Sequence, residues 1–338
     1  MRHQLDSLFN PASAAVIGAS TVLHKIGGRR WRSMVEANFD GPLYPIHPTA
    51  SEILGRKAYP SLRDVPGPVE MAVVLVRPDL VPGVIDDCVA AGVRVVVVIT
   101  AGFGETGDEG KRAERGLVDV ARAHGARLVG PNCAGLFSAS GHVNALGWSP
   151  PRGPIAVISQ SGNMALTFAQ LAREKGLGFS KLVTIGNAAD IRVPEYLDYL
   201  FADPDTKVIV AYLEGFGPLE GRALFDCVRA HPSPKPVIVL KPGETESGRR
   251  AVLSHTRGAR RRTPDRRRGL QAVRHPPRRR ERRGLGHGHR PRVSAAAPGG
   301  NGGRDLGRRR PRDHRLRHGG SIWPDRPDAR PGHPATAA

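Results

Sequence analysis

Short apolar runs alternate with amphipathic segments along most of the chain, and this alternation restricts the fold more than any other feature. Segments with helical spacing, such as 80–91 and 109–124, separate the runs. Continuous apolar strands joined by helices are typical of a parallel sheet covered on both faces, and right-handed crossovers then favour a Rossmann-like domain. The strands predicted in the first domain are 14–20, 43–46, 71–76, 93–100 and 127–129.

The pattern restarts after a stretch rich in proline and glycine at 147–153, which we predict to be a linker. We therefore predict an α/β chain with a Rossmann-like domain over 1–146 and a flavodoxin-like domain over 154–256. Strands are predicted at 155–159, 181–185, 208–214 and 236–240, and helices at 163–175, 194–201 and 219–230.

The composition changes between Thr256 and Arg257. Residues 257–338 contain 24 Arg, no Lys and 6 acidic residues, so they carry +18 of the whole-chain charge of +20. Ile, Leu, Val and Phe supply 7 of these residues, too few to offset the entropy of ordering a chain. We predict a disordered tail, and the charge of the whole chain therefore says little about the folded part.

Two hypotheses account for the tail. A GC-rich gene translated out of frame gives an excess of Arg, Pro, Gly and Ala, and the tail contains no Lys, Phe or Tyr. The alternative is an arginine-rich arm that binds nucleic acid, but Trp323 is the single aromatic residue on which a base could stack. We favour a frameshift near Thr256.

The remaining bulk features exclude several classes of protein. Cys88, Cys133 and Cys227 are scattered, without the paired spacing of a disulfide framework or a zinc site, so we expect no metal. The longest apolar run is far too short to span a bilayer, and residues 1–9 do not resemble a signal peptide. We expect a cytoplasmic protein that does not bind membranes.

Gly18, Ala19 and Ser20 follow the first predicted strand, at the corner where a doubly wound sheet usually binds phosphate. The corner is not a GxGxxG motif, and the second strand ends in Ile46-His47-Pro48 without the acidic residue that would hold a ribose diol. NAD is therefore disfavoured, whereas another phosphate-bearing nucleotide is compatible. The alternative is a turn glycine without a ligand.

Further candidates lie at the ends of later strands. Ile99 and Thr100 end the fourth strand at the edge of the sheet where binding crevices lie. Cys133 has no visible basic partner, which favours a buried small residue over a nucleophile. Ser161 and Gly162 open a helix, and their spacing fits both an anion site and a plain N-cap.

Two residues could carry acid–base or nucleophilic chemistry. Glu214 ends an apolar strand, where it could be a solvated carboxylate or a partner for a histidine. His255 follows a loop rich in polar residues, where most histidines are simply surface residues. Residue type alone therefore assigns neither a role.

A series of short stretches in residues 7–256 resembles, in family order, the N-terminal (alpha) part of the NDP-forming acyl-CoA synthetases, a family related to succinyl-CoA synthetase. The resemblance implies a CoA-binding Rossmann domain followed by a flavodoxin-like ligase domain. The stretches are AAVIGAS, YPIHP, AYPSL, ITAGF, GPNCAG, ISQSGNMA, TIGNAADI, YLEGF, VLKPGETESG and SHT.

The resemblance also implies roles for the candidate residues. It implies that His255 is phosphorylated and carries phosphate between two active sites, with Glu214 steadying the ring. It further implies a phosphate site at Ser161 and Gly162. For CoA it implies contacts from Gly18, Ala19 and Ser20, with Lys25, Ile99 and Thr100 as further contacts.

The implied reaction converts acid, CoA and ATP into acyl-CoA, ADP and phosphate. We expect ATP, ADP and Mg²⁺ to bind an ATP-grasp (beta-type) subunit or domain, because nothing in this sequence supplies one. We therefore expect this chain to bind CoA, to form an oligomer and to show little turnover by itself, so its standing as an enzyme is left open. The alternative is a non-catalytic CoA-binding or regulatory module.

The chain departs from the family pattern at two places. His47 stands where members of the family often have Asn, which affects contacts with CoA. After Thr256 the family continues with a glycine-rich turn into a helix, whereas this chain continues with 257–261, RGARR.

Overall fold

The computed structural model describes residues 3–217, 219–231 and 235–242. His255 and the segment 257–338 lie outside the described residues, so the hypotheses on them stay predictions. The described chain forms a five-stranded sheet, a six-stranded sheet and a small two-stranded sheet.

The first large sheet is parallel throughout, with the strand order β2-β1-β5-β6-β7. The four successive valines of Val95–Val98 are all buried, because helices cover both faces of the sheet. The predicted Rossmann-like architecture is therefore confirmed. The strands of this half are β1 (Ala14–Ile17), β2 (Leu43–Ile46), β3 (Glu52–Ile53), β4 (Arg56–Lys57), β5 (Met71–Val74), β6 (Val95–Val98) and β7 (Arg127–Val129).

Four helices accompany this sheet: α1 (Asp6–Phe9), α2 (Ile26–Glu36), α3 (Val81–Ala90) and α4 (Asp108–Ala123). The last two agree with the predictions within one residue at each end. Leu8 and Phe9 belong to an apolar core cluster that continues into the second half of the chain. Tyr199 of that half stacks on Phe9, with 4.9 Å between the ring centroids.

The second large sheet has the strand order β13-β12-β10-β11-β8-β9. Strands β10 to β13 are parallel to one another, as expected for the flavodoxin-like ligase domain, which is also confirmed. Its strands are β8 (Leu136–Ser138), β9 (Val143–Asn144), β10 (Arg152–Ser159), β11 (Phe179–Thr184), β12 (Val208–Tyr212) and β13 (Val237–Leu240). Its helices are α5 (Gly162–Glu174), α6 (Val193–Ala202) and α7 (Glu220–Ala230).

Strands β8 and β9 extend the second sheet although they precede the segment 147–153. Strand β8 pairs antiparallel with β11, with Ser138 opposite Lys181, and β9 pairs with β8. The sequence analysis placed both segments in the first domain, so the pairing of strands does not follow the predicted linker. The boundaries 1–146 and 154–256 stay predictions.

A buried ion-pair network joins the two halves. The Asp190 carboxylate is fully buried and accepts hydrogen bonds from Arg122 Nε at 2.6 Å, Arg127 Nε at 2.9 Å and the backbone N–H of Leu128 at 2.7 Å. Arg127 also donates to Glu195. Because a buried carboxylate is costly without such donors, this network fixes β7 against the start of α6.

None of the helices in the described ranges has both the length and the hydropathy needed to cross a membrane.

Candidate functional site

The first candidate site lies at the corner between β1 and α2, where the backbone approaches itself closely. Gly18 has a φ of +91°, and a Cβ atom there would lie 3.1 Å from the carbonyl carbon of Leu75. A Cβ atom on Gly27 would lie 2.1 Å from the carbonyl oxygen of Gly18. The first turn of α2 therefore packs on the loop without intervening side chains, as in corners that bring backbone N–H groups close to phosphate.

The N-terminus of α2 has no side-chain cap. Lys25 occupies the N-cap position, its side chain makes no capping hydrogen bond, and the first turn contains no acidic residue. The first N–H groups of a helix need acceptors from outside the helix, and the helix dipole favours an anion there. The exposed side chain of Lys25 adds positive charge, so this corner suits an anion such as a phosphate group.

The predicted contacts Ile99 and Thr100 lie on the same edge of the sheet as Gly18. Thr100 donates its hydroxyl hydrogen to the carbonyl oxygen of Val76 at 2.7 Å, and the backbone N of Val76 lies 3.3 Å from an ideal Cβ on Gly18. Leu75 and Val76, which follow β5, therefore lie between the Gly18 corner and Thr100. Ile99 and Thr100 are both half-buried.

The second candidate site lies at the corner between β10 and α5. Ser161 is the N-cap of α5, and its Oγ accepts a hydrogen bond from the backbone N–H of Met164 at 3.4 Å. Ser159 Oγ donates to the carbonyl oxygen of Ser161 at 2.7 Å and accepts from its N–H at 3.2 Å. This geometry is that of an N-cap, and the other N–H groups of the first turn are the donors that an anion would use.

Gln160 connects this corner to Glu214, and the sequence analysis did not single it out. Its side-chain oxygen accepts from the N–H groups of Glu214 at 2.5 Å and Gly215 at 3.1 Å, and its side-chain nitrogen donates to the Gly215 carbonyl at 3.1 Å. The backbone of the half-buried Glu214 is therefore fixed to Gln160, the residue before Ser161. The pairing joins residues far apart in sequence, so no local pattern could indicate it.

The loop after β7 brings the two sheets together at this point. An ideal Cβ on Gly162 would lie 2.6 Å from Ala134 Cβ, so only glycine allows this approach without a shift. Thr184 Oγ1 accepts from the backbone N–H of Ala134 and donates to the carbonyl oxygen of Gly135, both at 2.7 Å. The second corner is thus packed against the carboxyl edge of the first sheet.

Asn187 makes a second connection between the halves that the sequence analysis missed. Its side-chain amide donates to Glu105 at 2.6 Å and to Glu114 at 2.7 Å. Glu105 in turn accepts from the backbone N–H of Gly102, and these hydrogen bonds outweigh its burial and lower the pKa of its carboxyl group. The glycine loop after β6 is therefore held by the second half of the chain.

Arg30 and Cys133 lie in the same region. Burial lowers the pKa of the Arg30 guanidinium to about 10, and its Nε atom is buried without a hydrogen-bond partner in the described structure. Burial raises the pKa of the Cys133 thiol to about 11, although the nearby Arg30 opposes this shift. A protonated thiol is a poor nucleophile, which agrees with the interpretation of Cys133 as a buried small residue.

The structure therefore brings together Ser161, Gly162 and Glu214 at one corner. It places Gly18, Ala19, Ser20 and Lys25 around the other. His255 lies outside the described residues.

Comparisons with known proteins assign both halves. Residues 12–139 match a family described as "CoA binding domain", and residues 152–263 match a "Succinyl-CoA ligase like flavodoxin domain". The alpha subunit of acetate–CoA ligase [ADP-forming] II from Pyrococcus furiosus is 39% identical over 253 residues, covering 75% of this chain and 55% of the relative. The 4-hydroxybutyrate–CoA ligase [ADP-forming] of Nitrosopumilus maritimus is 34% identical, covering 74% of this chain and 36% of the relative.

A solved structure agrees with these matches. The dinucleotide-forming acetyl-coenzyme A synthetase 1 of Ca. Korarchaeum cryptofilum, in complex with phosphate and ADP, superposes with a TM-score of 0.71 at 43% identity. The match covers 74% of this chain and 54% of that structure, so the chain spans about half the length of such relatives. Two consecutive domain matches and the similarity to these ligases together show that the chain belongs to the NDP-forming acyl-CoA synthetases, as their alpha, CoA-binding part.

Proposed function

We propose that this chain is the CoA-binding and phosphohistidine-bearing part of an ADP-forming acyl-CoA synthetase. The observation that carries the proposal is the tie from the Ser161 corner to Glu214 through Gln160. This tie holds the backbone of Glu214 next to the residue that precedes the N-cap of α5, which supports a role for the helix N–H donors and this carboxylate in transfer of a phosphoryl group to a histidine. The first corner supplies a separate, positively charged site for CoA.

In the direction that forms ATP, phosphate first attacks the thioester carbonyl carbon of acyl-CoA. A C–O bond forms, the C–S bond breaks, and the thiolate leaves with a proton released by the phosphate. The N–H groups at the start of α5 are preorganised donors for the negative charge on the phosphate oxygens. The product of this step is an acyl phosphate.

His255 then takes the phosphoryl group. A neutral ring nitrogen attacks phosphorus, a P–N bond forms, and the P–O bond to the acyl group breaks to release the carboxylate. The ordinary pKa of a histidine imidazole is about 6.5, so much of the side chain is neutral and nucleophilic near pH 7. A carboxylate such as Glu214 on the other ring nitrogen would fix the tautomer and stabilise the cationic phosphoimidazole.

The last step returns the phosphoryl group to ADP on an ATP-grasp partner that also holds Mg²⁺. The P–N bond breaks, a P–O bond to ADP forms, and His255 is neutral again. We therefore expect the isolated chain to bind CoA but to give little turnover. Full turnover without an added partner would contradict this part of the proposal.

Labelling tests the phosphohistidine directly. The full chain is incubated with acetyl-CoA and radioactive phosphate, because acetate is the acid of several relatives. We expect an acid-labile, base-stable label that His255→Asn abolishes. His142→Asn is the matched control, because His142 lies in the first half of the chain, and it should leave the label unchanged. A label that persists in His255→Asn would refute the assignment.

The second candidate function is a non-catalytic CoA-binding or regulatory module. The observation that favours it is the departure from the family pattern directly after Thr256. This function predicts CoA binding, measured by calorimetry, with no label on His255. Loss of CoA binding in Lys25→Ala and Gly18→Val would be expected under either function.

The reading-frame hypothesis has its own test. The nucleotide sequence across codons 250–262 should contain a glycine-rich GALAG-like continuation in another frame. Its absence from both alternative frames would reject a frameshift, and an arginine-rich arm would then be tested by salt-dependent binding of nucleic acid.

A further inference from the structure

Three potential metal ligands of different chemistry converge between α6 and α7. Asp198 lies on α6, Cys227 lies on α7, and His231 follows the last residue of α7. The Cys227 sulfur is 3.3 Å from Asp198 Oδ1, and His231 Nε2 is 3.4 Å from the same oxygen. The three ligand atoms all lie within 4.8 Å of one another.

These separations fit a tetrahedral zinc ion. Zinc binds thiolate sulfur at about 2.3 Å, and imidazole nitrogen or carboxylate oxygen at about 2.0–2.2 Å, so neighbouring ligand atoms should be about 3.3–3.6 Å apart. Two of the three separations already have these values. The third separation, between the sulfur and the imidazole nitrogen, is at most 4.8 Å.

The imidazole ring is oriented for ligation. His231 Nδ1 lies 3.1 Å from the carbonyl oxygen of Cys227, which can only accept, so the neutral ring carries its proton on Nδ1. Nε2 then carries the lone pair and lies 3.4 Å from Asp198 Oδ1. Phe201 stacks on the ring at 4.8 Å and restrains its plane. Histidines that bind metals commonly have this arrangement, in which the second nitrogen donates to a carbonyl.

The Cys227 thiol faces the Asp198 carboxylate. Its S–H group donates to Asp198 Oδ1, with the sulfur 3.3 Å from that oxygen. A divalent cation at this position would replace that proton. The thiol loses H⁺ to solvent, the sulfur forms a bond with the cation, and no oxidant or reductant is required.

We propose that Asp198, Cys227 and His231 form a zinc site with the fourth position open to water. Their mixed sulfur, nitrogen and oxygen donors favour zinc over the hard cations Ca²⁺ and Mg²⁺. The side chains of His231 and Asp198 are 36% and 49% exposed, so an ion can enter from solvent.

The site is separate from the proposed phosphoryl-transfer residues. Glu214 precedes the N-terminal end of α7, whereas His231 follows its C-terminal end, and 11 helical residues span about 16 Å. A zinc ion here would fasten α7 to α6. It would stabilise the ligase-like half without taking part in the reaction.

Cobalt titration tests the site, because cobalt(II) replaces zinc and its thiolate complexes have a charge-transfer absorption that histidine alone does not give. The full, reduced chain has 13 His and 3 Cys, so this band reports only on cysteine ligation. We expect one equivalent of cobalt to produce the band and zinc to bleach it. Cys227→Ser should abolish it, and His231→Gln should weaken cobalt affinity at least about tenfold.

His142→Gln is the matched control. His142 Nδ1 also lies 3.4 Å from a carboxylate oxygen, that of Asp40, but no cysteine within the described ranges completes a cluster there. This variant should keep the band unchanged. A wild-type chain that gives no band, or a band that survives in Cys227→Ser, would overturn the proposal.

Stability provides a second measurement. Zinc should raise the melting temperature of the wild type but not that of a folded Cys227→Ser variant, because a ligand that binds only the native state stabilises it. Equal shifts in both proteins would also reject the site. Labelling of His255 should be the same with and without zinc, so failure of this proposal and failure of the proposed function can be distinguished.

Discussion

The two strand–helix corners have the same topology but are held by different interactions. At the first corner, Gly27 packs directly on the Gly18 carbonyl oxygen, and no side chain caps α2. At the second, Ser161 caps α5 and Gln160 fastens the corner to a neighbouring strand end. The comparison teaches that the first corner depends on close backbone approach alone, whereas the second combines a close approach at Gly162 with side-chain hydrogen bonds.

The two kinds of interaction should fail in different ways. A corner held by close backbone approach has no space for an added methyl group, so even a small side chain should displace the loop. A corner held by hydrogen bonds keeps its packing when one side chain is shortened, but loses its alignment with Glu214.

The largest expected effect is that of Gly27→Ala. Its Cβ would meet the Gly18 carbonyl oxygen at 2.1 Å, so we expect a loss of about 3 kcal/mol or more in unfolding free energy, together with weaker CoA binding. Urea unfolding and calorimetry measure the two effects.

Gly116→Ala in α4 is the control for this change. Apart from its chain neighbours and the adjacent backbone of α4, no atom of the described residues lies within 4 Å of a Cβ at Gly116, so this variant should gain about 0.5–1 kcal/mol from helix propensity. If Gly27→Ala were as stable as wild type, the first corner would not depend on close backbone approach.

Gln160→Ala should have a smaller effect on stability and a larger one on chemistry. The N–H groups of Glu214 and Gly215 lose their acceptor, which costs about 1–3 kcal/mol where water does not replace it. We expect labelling of His255 to slow at least about tenfold, while CoA affinity stays at the wild-type value. Gln170→Ala, on the exposed face of α5, should change neither. Equal labelling rates in both variants would remove Gln160 from the proposed mechanism.

The smallest expected effects are on stability, and they distinguish the N-terminus of α5, which Ser161 caps, from that of α2, which has no side-chain cap. Ser161→Ala removes the hydrogen bond to the Met164 N–H and should cost about 1 kcal/mol. Lys25→Ala removes no capping hydrogen bond and should change stability by less than about 0.5 kcal/mol, while it weakens CoA binding. Similar losses of stability in both variants would mean that the two helix ends are held in the same way.

The sequence predicted the elements well because their signals are local. The valines of β6 and the spacing in α3 and α4 indicate buried strands and amphipathic helices without any knowledge of distant residues. Strands β8 and β9 were missed as part of the second sheet because three- and two-residue strands carry little periodicity. Their pairing with β11 is visible only in space.

The residues of the candidate site also differ in whether a local sequence pattern indicates them. Glycine and serine positions after strands could be read from spacing, since phosphate corners recur at these places. Gln160 and Asn187 act across 54 and 82 residues of sequence, to Glu214 and Glu105, so only the fold reveals them. The proposed metal ligands Asp198 and Cys227 likewise come from different helices, which is why cysteine spacing gave no indication of a metal.

The antiparallel strands β8 and β9 have a consequence for recombination between members of this family. A fusion made within 147–153 would take β8 and β9 from one donor and β11 from the other, so the edge of the second sheet would consist of mismatched strands, and a poorly paired edge favours aggregation. A crossover placed before Leu136 would keep the edge strands with the sheet they complete. Chimeras that exchange CoA-binding halves should therefore be joined in the loop 130–135.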